Sequence, residues 1–377
     1  MHILIACDKF KGSLSATECC EIISRAIEDR FPGNSLHQTS LADGGEGSLD
    51  LFIRHKHGTL KSVKVHDSLM HEVEASFGLS KDKNQCFIEM ASASGLMLIP
   101  EKERNALLAN TIGTGELFMH AWSESVKEII IGVGGSASTD GGTGFAHALG
   151  YRFLDGRGRE LFPSGKNLRL IQSIQSPAHI RGKAFPRVIA ACDVSNPLCG
   201  SEGAAHCYAR QKGASEEDII LLDEGLKHLA EVTKKLKGKD FSLVPAAGAG
   251  GGTGFSLMAF AGAVIMQGFD WISQLTGLEE LIRGCDLIIT GEGRIDQQTA
   301  HGKTVSGVCK LAARHNIPVI AFAGEVINKQ KIMESLRLRS VFSLTETGIP
   351  REEAIRDAGN LLYQRVSETI GEWILER

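Results

Sequence analysis

Three glycine-rich runs hold most of the residues in this chain that could do chemistry. In the first, the β-branched residues Ile129-Ile-Ile131 lead into Gly132-Val-Gly134-Gly135-Ser136-Ala-Ser138-Thr-Asp140-Gly-Gly142-Thr-Gly144, with six glycines and four hydroxyl residues. Phe145, Ala146, Ala148 and Leu149 then resume a helical pattern. Strand, glycine loop and helix N-terminus in that order present backbone N–H groups to an anion. Glycine serves where the backbone approaches a ligand or takes positive φ. A tight turn in any α/β fold would look the same, so one loop does not decide. A second run repeats the chemistry: Gly248-Ala-Gly250-Gly251-Gly252-Thr-Gly254-Phe255, ending Gly-Gly-Thr-Gly-Phe like the first. The third, Thr290-Gly-Glu292-Gly-Arg294-Ile-Asp296, follows the apolar strand Leu287-Ile-Ile289 and reads as a loop. Three such loops, two carrying acids, suit a phosphorylated ligand with a metal ion.

Other candidates sit where apolar runs end. Ile3-Leu-Ile-Ala6 leads into Cys7-Asp8-Lys9-Phe10-Lys11-Gly12-Ser13, one acid and two lysines. Ligands of open α/β sheets bind at the carboxyl ends of strands, although solvated surface lysines would look the same. Ala42-Asp43-Gly-Gly-Glu46-Gly47 is a second acidic glycine loop. Val188-Ile-Ala-Ala-Cys192 delivers Asp193, Ser195 and Asn196. Asp193 reads either as a magnesium or hydroxyl contact or as an Asx-turn before Pro197.

The elements that must position these groups are legible from spacing. Ser15-Ala-Thr-Glu18 is a capping box opening a helix through Ile22, Ile23, Ala26 and Ile27, closed by Phe31-Pro-Gly33. Between Thr59 and Met90 the period shortens to partial alternation, which predicts hairpins. After residue 284, strand and helix alternate again, with strands at Asp286–Ile289, Pro318–Ala323 and Val341–Phe342. Gly324-Glu325 reads as a loop and Glu352–Glu376 as one closing helix. The expected fold is α/β. A doubly wound, Rossmann-like parallel-sheet domain is built discontinuously from residues 1–66 and 284–377. A second α/β domain, residues 67–283, is inserted and carries the first two glycine loops.

Composition narrows the function classes. Forty-one basic and 45 acidic residues give a net charge of −4, so no basic field argues for nucleic acid. No run of about 18 apolar residues suggests a membrane span, and the N-terminus lacks the pattern of a secretory signal. Nine cysteines, odd in number and scattered, predict reduced thiols and a cytoplasmic setting. Cys192, Cys199, Cys207 and His206 match no common zinc spacing.

Familiar motifs fail. A P-loop ending at Gly302-Lys303-Thr304 would need glycine where Gln297 stands. The dinucleotide pattern would need glycine at Ala137 or Thr253, and the nucleophile elbow would need it at Ser138. These failures weaken an NAD-dependent oxidoreductase; a non-catalytic phosphometabolite sensor is the other alternative. Taken together, Asp8-Lys-Phe-Lys-Gly-Ser13, Ala42-Asp-Gly-Gly-Glu-Gly47, Thr111-Ile-Gly-Thr-Gly-Glu-Leu117, Gly134 to Gly142, Cys192-Asp-Val-Ser-Asn-Pro-Leu-Cys-Gly200 and Thr290 to Asp296 resemble the sequence blocks of the type I glycerate kinases, in that family's order. The chain departs from the family at Ala137-Ser-Thr-Asp140, usually Ala-Thr-Asn-Asp, and at Ala247 to Gly252, usually richer in alanine.

The resemblance implies ATP-dependent phosphorylation of D-glycerate with magnesium, in glycerate, glyoxylate or sugar-acid catabolism. It implies 2-phosphoglycerate as product, with the 3-hydroxyl as the alternative acceptor. It also implies an active site in a cleft between two α/β domains. Phosphoryl transfer asks for positioning and charge stabilisation. Gly134, Gly135, Ser136, Ser138, Asp140, Gly250, Gly251, Gly252 and Glu292 are the candidates for binding ATP. Asp8, Lys11, Asp43 and Arg294 are those for glycerate. Asp193, Asp296 and Lys9 are the catalytic candidates, and the two aspartates are also the candidate magnesium ligands. Which aspartate does which job stays open. A monomer or homodimer without nucleic-acid or membrane partners is expected.

Overall fold

The computed structural model describes residues 1–178, 185–297, 299, 304–345 and 348–375. In chain order its strands are β1 His2–Cys7, β2 Ser35–Ser40, β3 Thr59–His66, β4 Glu72–Leu79, β5 Gln85–Glu89, β6 Glu128–Gly132, β7 Arg152–Leu154, β8 Ser173–Gln175, β9 Arg187–Ala191, β10 Val264–Met266, β11 Leu287–Ile295, β12 Val319–Val326 and β13 Ser340–Ser343. Gly302 and Lys303, the residues of the failed P-loop match, lie outside the described residues.

One compact unit comprises Met1–Asp43 and Phe269–Arg377. Its sheet has the order β13-β12-β11-β1-β2, every pair parallel. The two end segments of the chain, up to β2 and from β11 on, therefore share one sheet, as their strand–helix alternation predicts. Ile3, Leu4 and Ile5 are all buried, as a strand covered on both faces requires. Ile3, Ile5, Leu287, Ile289, Ile320 and Phe322 form one core with Ile23 and Ile27 of helix Ala16–Arg30 and Leu362 and Val366 of helix Ala358–Thr369. The helix Thr304–Arg314 packs on β1, β11 and β12, so the sheet is doubly wound. The capping box forms as expected: Ser15 accepts from the Glu18 N–H, and the Glu18 carboxylate accepts from the Ser15 N–H at 2.8 Å. The strand order reverses direction between β1 and β11, and the carboxyl ends of those two strands are the topological switch point.

The other compact unit, Gly44–Gly268, contains a mixed six-stranded sheet ordered β10-β9-β6-β5-β4-β3 and a small β7-β8 pair. β3, β4 and β5 are antiparallel neighbours, the hairpins the alternation predicts. β5, β6, β9 and β10 run parallel. Ile129 and Ile131 of β6 sit in a core with Phe118, Phe145 and Phe255.

Three expectations change. Thr290–Ile295 is not a loop: β11 continues to Ile295, with Thr290, Gly291, Glu292, Arg294 and Ile295 all paired to β12, and Gly324-Glu325 lies within β12. Glycine fits here because the backbones crowd. A Cβ on Gly291 would stand 2.4 Å from the Phe322 carbonyl oxygen, and one on Gly293 would stand 2.9 Å from the Lys11 nitrogen. The closing helix is three helices, Arg351–Arg356, Ala358–Thr369 and Gly371–Leu375, interrupted at Asp357 and Ile370. The compact units divide at Asp43/Gly44 and Gly268/Phe269, earlier at both places than the period change near Asp67 and position 284 suggest. The helix Ser48–His55 packs on β4 and β5, with Phe52 stacked on Phe87 at 5.9 Å, and so belongs with the inserted unit.

The close β11–β12 ladder predicts that Gly291→Ala lowers unfolding stability by about 1–3 kcal/mol, the usual cost of overpacking. The exposed Gly284→Ala should leave it nearly unchanged. Urea unfolding of both variants checks this; equal stability would mean that the ladder yields.

Candidate active site

The two glycine loops of the inserted unit are one interlocked object. The Gly141 N–H donates to the Gly251 carbonyl at 3.0 Å. A Cβ on Gly251 would lie 2.0 Å from the Ser138 carbonyl oxygen, and one on Gly252 would lie 2.6 Å from the Gly141 Cα. Gly250, Gly251 and Gly252 all take φ between +61° and +95°, so the regular helix starts only at Thr253. Ser256 donates to the Gly142 carbonyl at 2.7 Å and ties that helix to the first loop. Gly251 and Gly252 are buried, whereas Gly134 and Gly250 are half-buried and Gly135 is exposed.

Asp140 occupies the centre of the first loop and is fully buried. Its Oδ2 accepts the Thr111 N–H at 3.0 Å, the Thr111 hydroxyl at 2.8 Å and the Gly144 N–H at 3.0 Å. Its Oδ1 accepts the Gly142 N–H at 3.1 Å. Burial pushes the carboxyl above its ordinary pKa, and the four donors pull it back. These donors sit where the helices Ile112–Ser123 and Thr143–Ala148 begin. The anion bound at those helix starts is thus the chain's own carboxylate, and in the stretch Gly134–Ser138 only Gly134 and Gly135 reach the surface.

That stretch carries a residue the motifs did not single out. Lys212, only 2% exposed, donates through Nζ to Ser136 Oγ at 2.7 Å and to the Ser138 carbonyl at 2.5 Å. Burial lowers its pKa to about 7, against the pull of Asp140. Ser138 Oγ and Thr139 Oγ1 are buried without a hydrogen-bond partner among the described residues. In sequence Lys212 is one of 41 basic residues, in no motif, and no local signal marks it.

Asp193 follows β9, half-buried, and its Oδ1 accepts the Gly268 N–H at 2.7 Å. Gly268 lies where the chain leaves this unit, and a Cβ on Gly44, where it enters, would stand 2.7 Å from the Gly268 Cα. Asp193 therefore holds a backbone crossing, whatever else it contacts.

In the first unit, Asp8 and Glu292 stand at the switch point. Asp8 is 8% exposed; its Oδ1 accepts the Lys9 N–H at 2.7 Å and its Oδ2 the Thr304 hydroxyl at 2.6 Å. Burial, with the charge of Asp43, raises its pKa to about 6; the hydrogen bonds from Thr304 and Lys9 oppose the rise. Glu292 is buried and accepts the Thr299 hydroxyl at 2.6 Å. Arg294 is already spanned by acids, Asp296 at 3.1 Å and Glu325 at 3.7 Å. The Asp296 N–H donates to Thr299 Oγ1 at 3.2 Å. Lys9 is half-buried, and Lys11 and Asp43 are exposed. Among the described residues, no group of three or more His, Cys, Asp or Glu is placed to hold a metal ion. No helix among them is long and apolar enough to cross a membrane.

The family model described as "Glycerate kinase family" matches residues 3–375. A glycerate kinase from Bacillus cereus is 42% identical over 373 residues, 99% of this chain and 98% of that one. A glycerate 2-kinase from Escherichia coli is 40% identical, covering 95% of this chain and 94% of its own. A crystal structure from Salmonella typhimurium, assigned as glycerate kinase 2, superposes with a TM-score of 0.84 at 37% identity, covering 100% of this chain and 99% of that one.

The Asp140 geometry predicts that Asp140→Asn destabilises the fold. One of its four donors would face an NH2 group instead of an oxygen, which costs about 1–3 kcal/mol. Denaturant unfolding of the variant, with Asp50→Asn at an exposed position as reference, tests this; an unshifted midpoint would mean that the carboxylate is not the clamp.

Proposed function

The chain belongs to the glycerate kinase family, and on that premise we propose that it transfers the terminal phosphoryl group of ATP, with magnesium, to the 2-hydroxyl of D-glycerate. Asp8 is the observation that carries the mechanism: a buried carboxyl at the switch point of a doubly wound sheet, with its proton affinity raised into the range where it can accept and release a proton near neutrality. It is our candidate for the group that takes the proton of the attacking hydroxyl. Thr304 holds one of its oxygens at 2.6 Å and so fixes its direction. The Escherichia coli relative's designation as a 2-kinase supports the choice of hydroxyl.

The other site residues divide by charge. Lys9 and Lys11 follow Asp8 directly and are the cations we assign to the glycerate carboxylate. Arg294, matched by Asp296 and Glu325, takes the lesser part there. Gly134, Gly135 and Ser136 offer the open part of the first glycine loop to phosphate, with Gly250 of the second beside Val133. Magnesium usually takes one or two carboxylates together with substrate phosphates and water. Among the described residues no three such side chains converge, which fits that mode and not an all-protein cage. Asp193 or Asp296 would supply such a carboxylate, and the ion would neutralise charge on the phosphates.

Two outcomes follow. With ATP, magnesium and D-glycerate, phosphorus NMR should show 2-phosphoglycerate and ADP; 3-phosphoglycerate would overturn the regiochemistry, and no product would overturn the activity. A base must be ionised to work, so kcat/KM should fall as pH drops through about 6. Asp8→Asn should lower kcat roughly 10²–10⁴-fold and abolish that acid limb. A variant with the wild-type pH profile would remove Asp8 from the role.

A further inference from the structure

Lys212 carries a charge that meets Asp140 only at a distance, with no direct ion pair among the described residues. Its two direct partners, Ser136 Oγ and the Ser138 carbonyl, are neutral oxygens. Taking an ammonium out of water is costly unless an opposite charge compensates. Asp140 attracts it, but the Asp140 oxygens are already taken by Thr111, Gly142 and Gly144. A neutral amide could tether the same turn at far lower cost.

The geometry also fixes the direction of one hydrogen bond. In its protonated form Lys212 only donates, so Ser136 Oγ then accepts from it. The Ser136 proton is then free to be given away, and no acceptor for it stands among the described residues. An ammonium has three donors, and two of those of Lys212 are used. The turn itself is open at the half-buried Gly134 and the exposed Gly135, next to Ser136. A buried cation behind that opening matches an anion.

We propose that Lys212, acting through Ser136, is a positioning residue that presents the Gly134–Ser138 turn to the phosphate oxygens of the nucleotide. This rests on the kinase reading above, and it adds a cation that the glycine loops alone do not supply. Polarised by the ammonium, Ser136 becomes a charge-assisted donor, a class of hydrogen bond about twice as strong as a neutral one.

The test is ATP binding to the full chain by calorimetry, together with the KM values for ATP and for glycerate. Lys212→Gln keeps donors for the tether and removes the charge, so it separates the two roles; Ser136→Ala removes the intermediary with the lysine left in place. Both should weaken ATP binding roughly 10–100-fold, the worth of a hydrogen bond to a charged group. The ATP KM should rise in step, and the glycerate KM should stay within about twofold. The double variant should bind ATP no more weakly than Lys212→Gln alone, because both act on one path. Wild-type ATP affinity in Lys212→Gln or in Ser136→Ala would overturn the proposal. If the wild-type chain itself bound no ATP, the kinase reading would fall and this proposal with it. Should Lys212→Gln fail to fold, Ser136→Ala decides alone.

Discussion

The approach of two backbones, Gly251 against the carbonyl of Ser138, is the constraint on which the inserted unit depends. No side chain fits between them, since a Cβ would stand at 2.0 Å. The contact binds the loop after β6 to the start of the helix that ends at Ala261. Once they are joined, the turn at residues 140–144 closes around its own anion: Asp140 takes donors from the starts of two helices. A buried carboxylate with four donors is stable where a lone one would be expelled or protonated. The loop that looks built for a phosphate is thus half filled by the protein, and its other half is backed by Lys212 through Ser136 and Ser138.

The same economy governs the terminal unit. β1 and β11 run side by side, and Gly291 and Gly293 let the backbones of Phe322 and Lys11 close in. That crowding brings Asp8 and Glu292 to the switch point, each with a threonine hydroxyl at 2.6 Å. Burial raises the proton affinity of Asp8, and the hydroxyl limits the rise. The folded state therefore binds the Asp8 proton more tightly than the unfolded chain does. Asp8 accordingly makes stability fall as pH climbs from about 4 to about 6, a cost borne for a poised carboxyl. An acid placed only for structure would gain nothing from such a site.

Much of this was legible in the sequence, for reasons of period and capping. Ile3–Ala6 reads as a buried strand because every position is apolar, and Ser15 with Glu18 announces its helix. Val63 to Ile88 alternates, and the hairpins follow. What stayed hidden has a common cause: sequence patterns record side chains, and glycine has none. Thr290 to Ile295 therefore reads as a loop although it is the central ladder of a sheet. The interlock of Gly141 and Gly251 joins residues 110 positions apart through backbone alone. Asp140 was legible as important but not as inward-facing. Lys212 was not legible at all, because burial of a lysine is decided by packing of distant segments.

The central claim is a division of labour among the glycines: Gly251 and its neighbours hold the fold, while the open ones meet the ligand. Gly134 separates these roles most cleanly, because a Cβ there has its nearest neighbour at 3.8 Å and its φ is not positive. The decisive measurement is the ATP KM of Gly134→Ala alongside its thermal midpoint. The account predicts an unchanged midpoint with an ATP KM raised about tenfold or more, since a methyl group would hold a phosphate off the backbone. A Gly134→Ala variant with wild-type ATP KM and wild-type stability would contradict it.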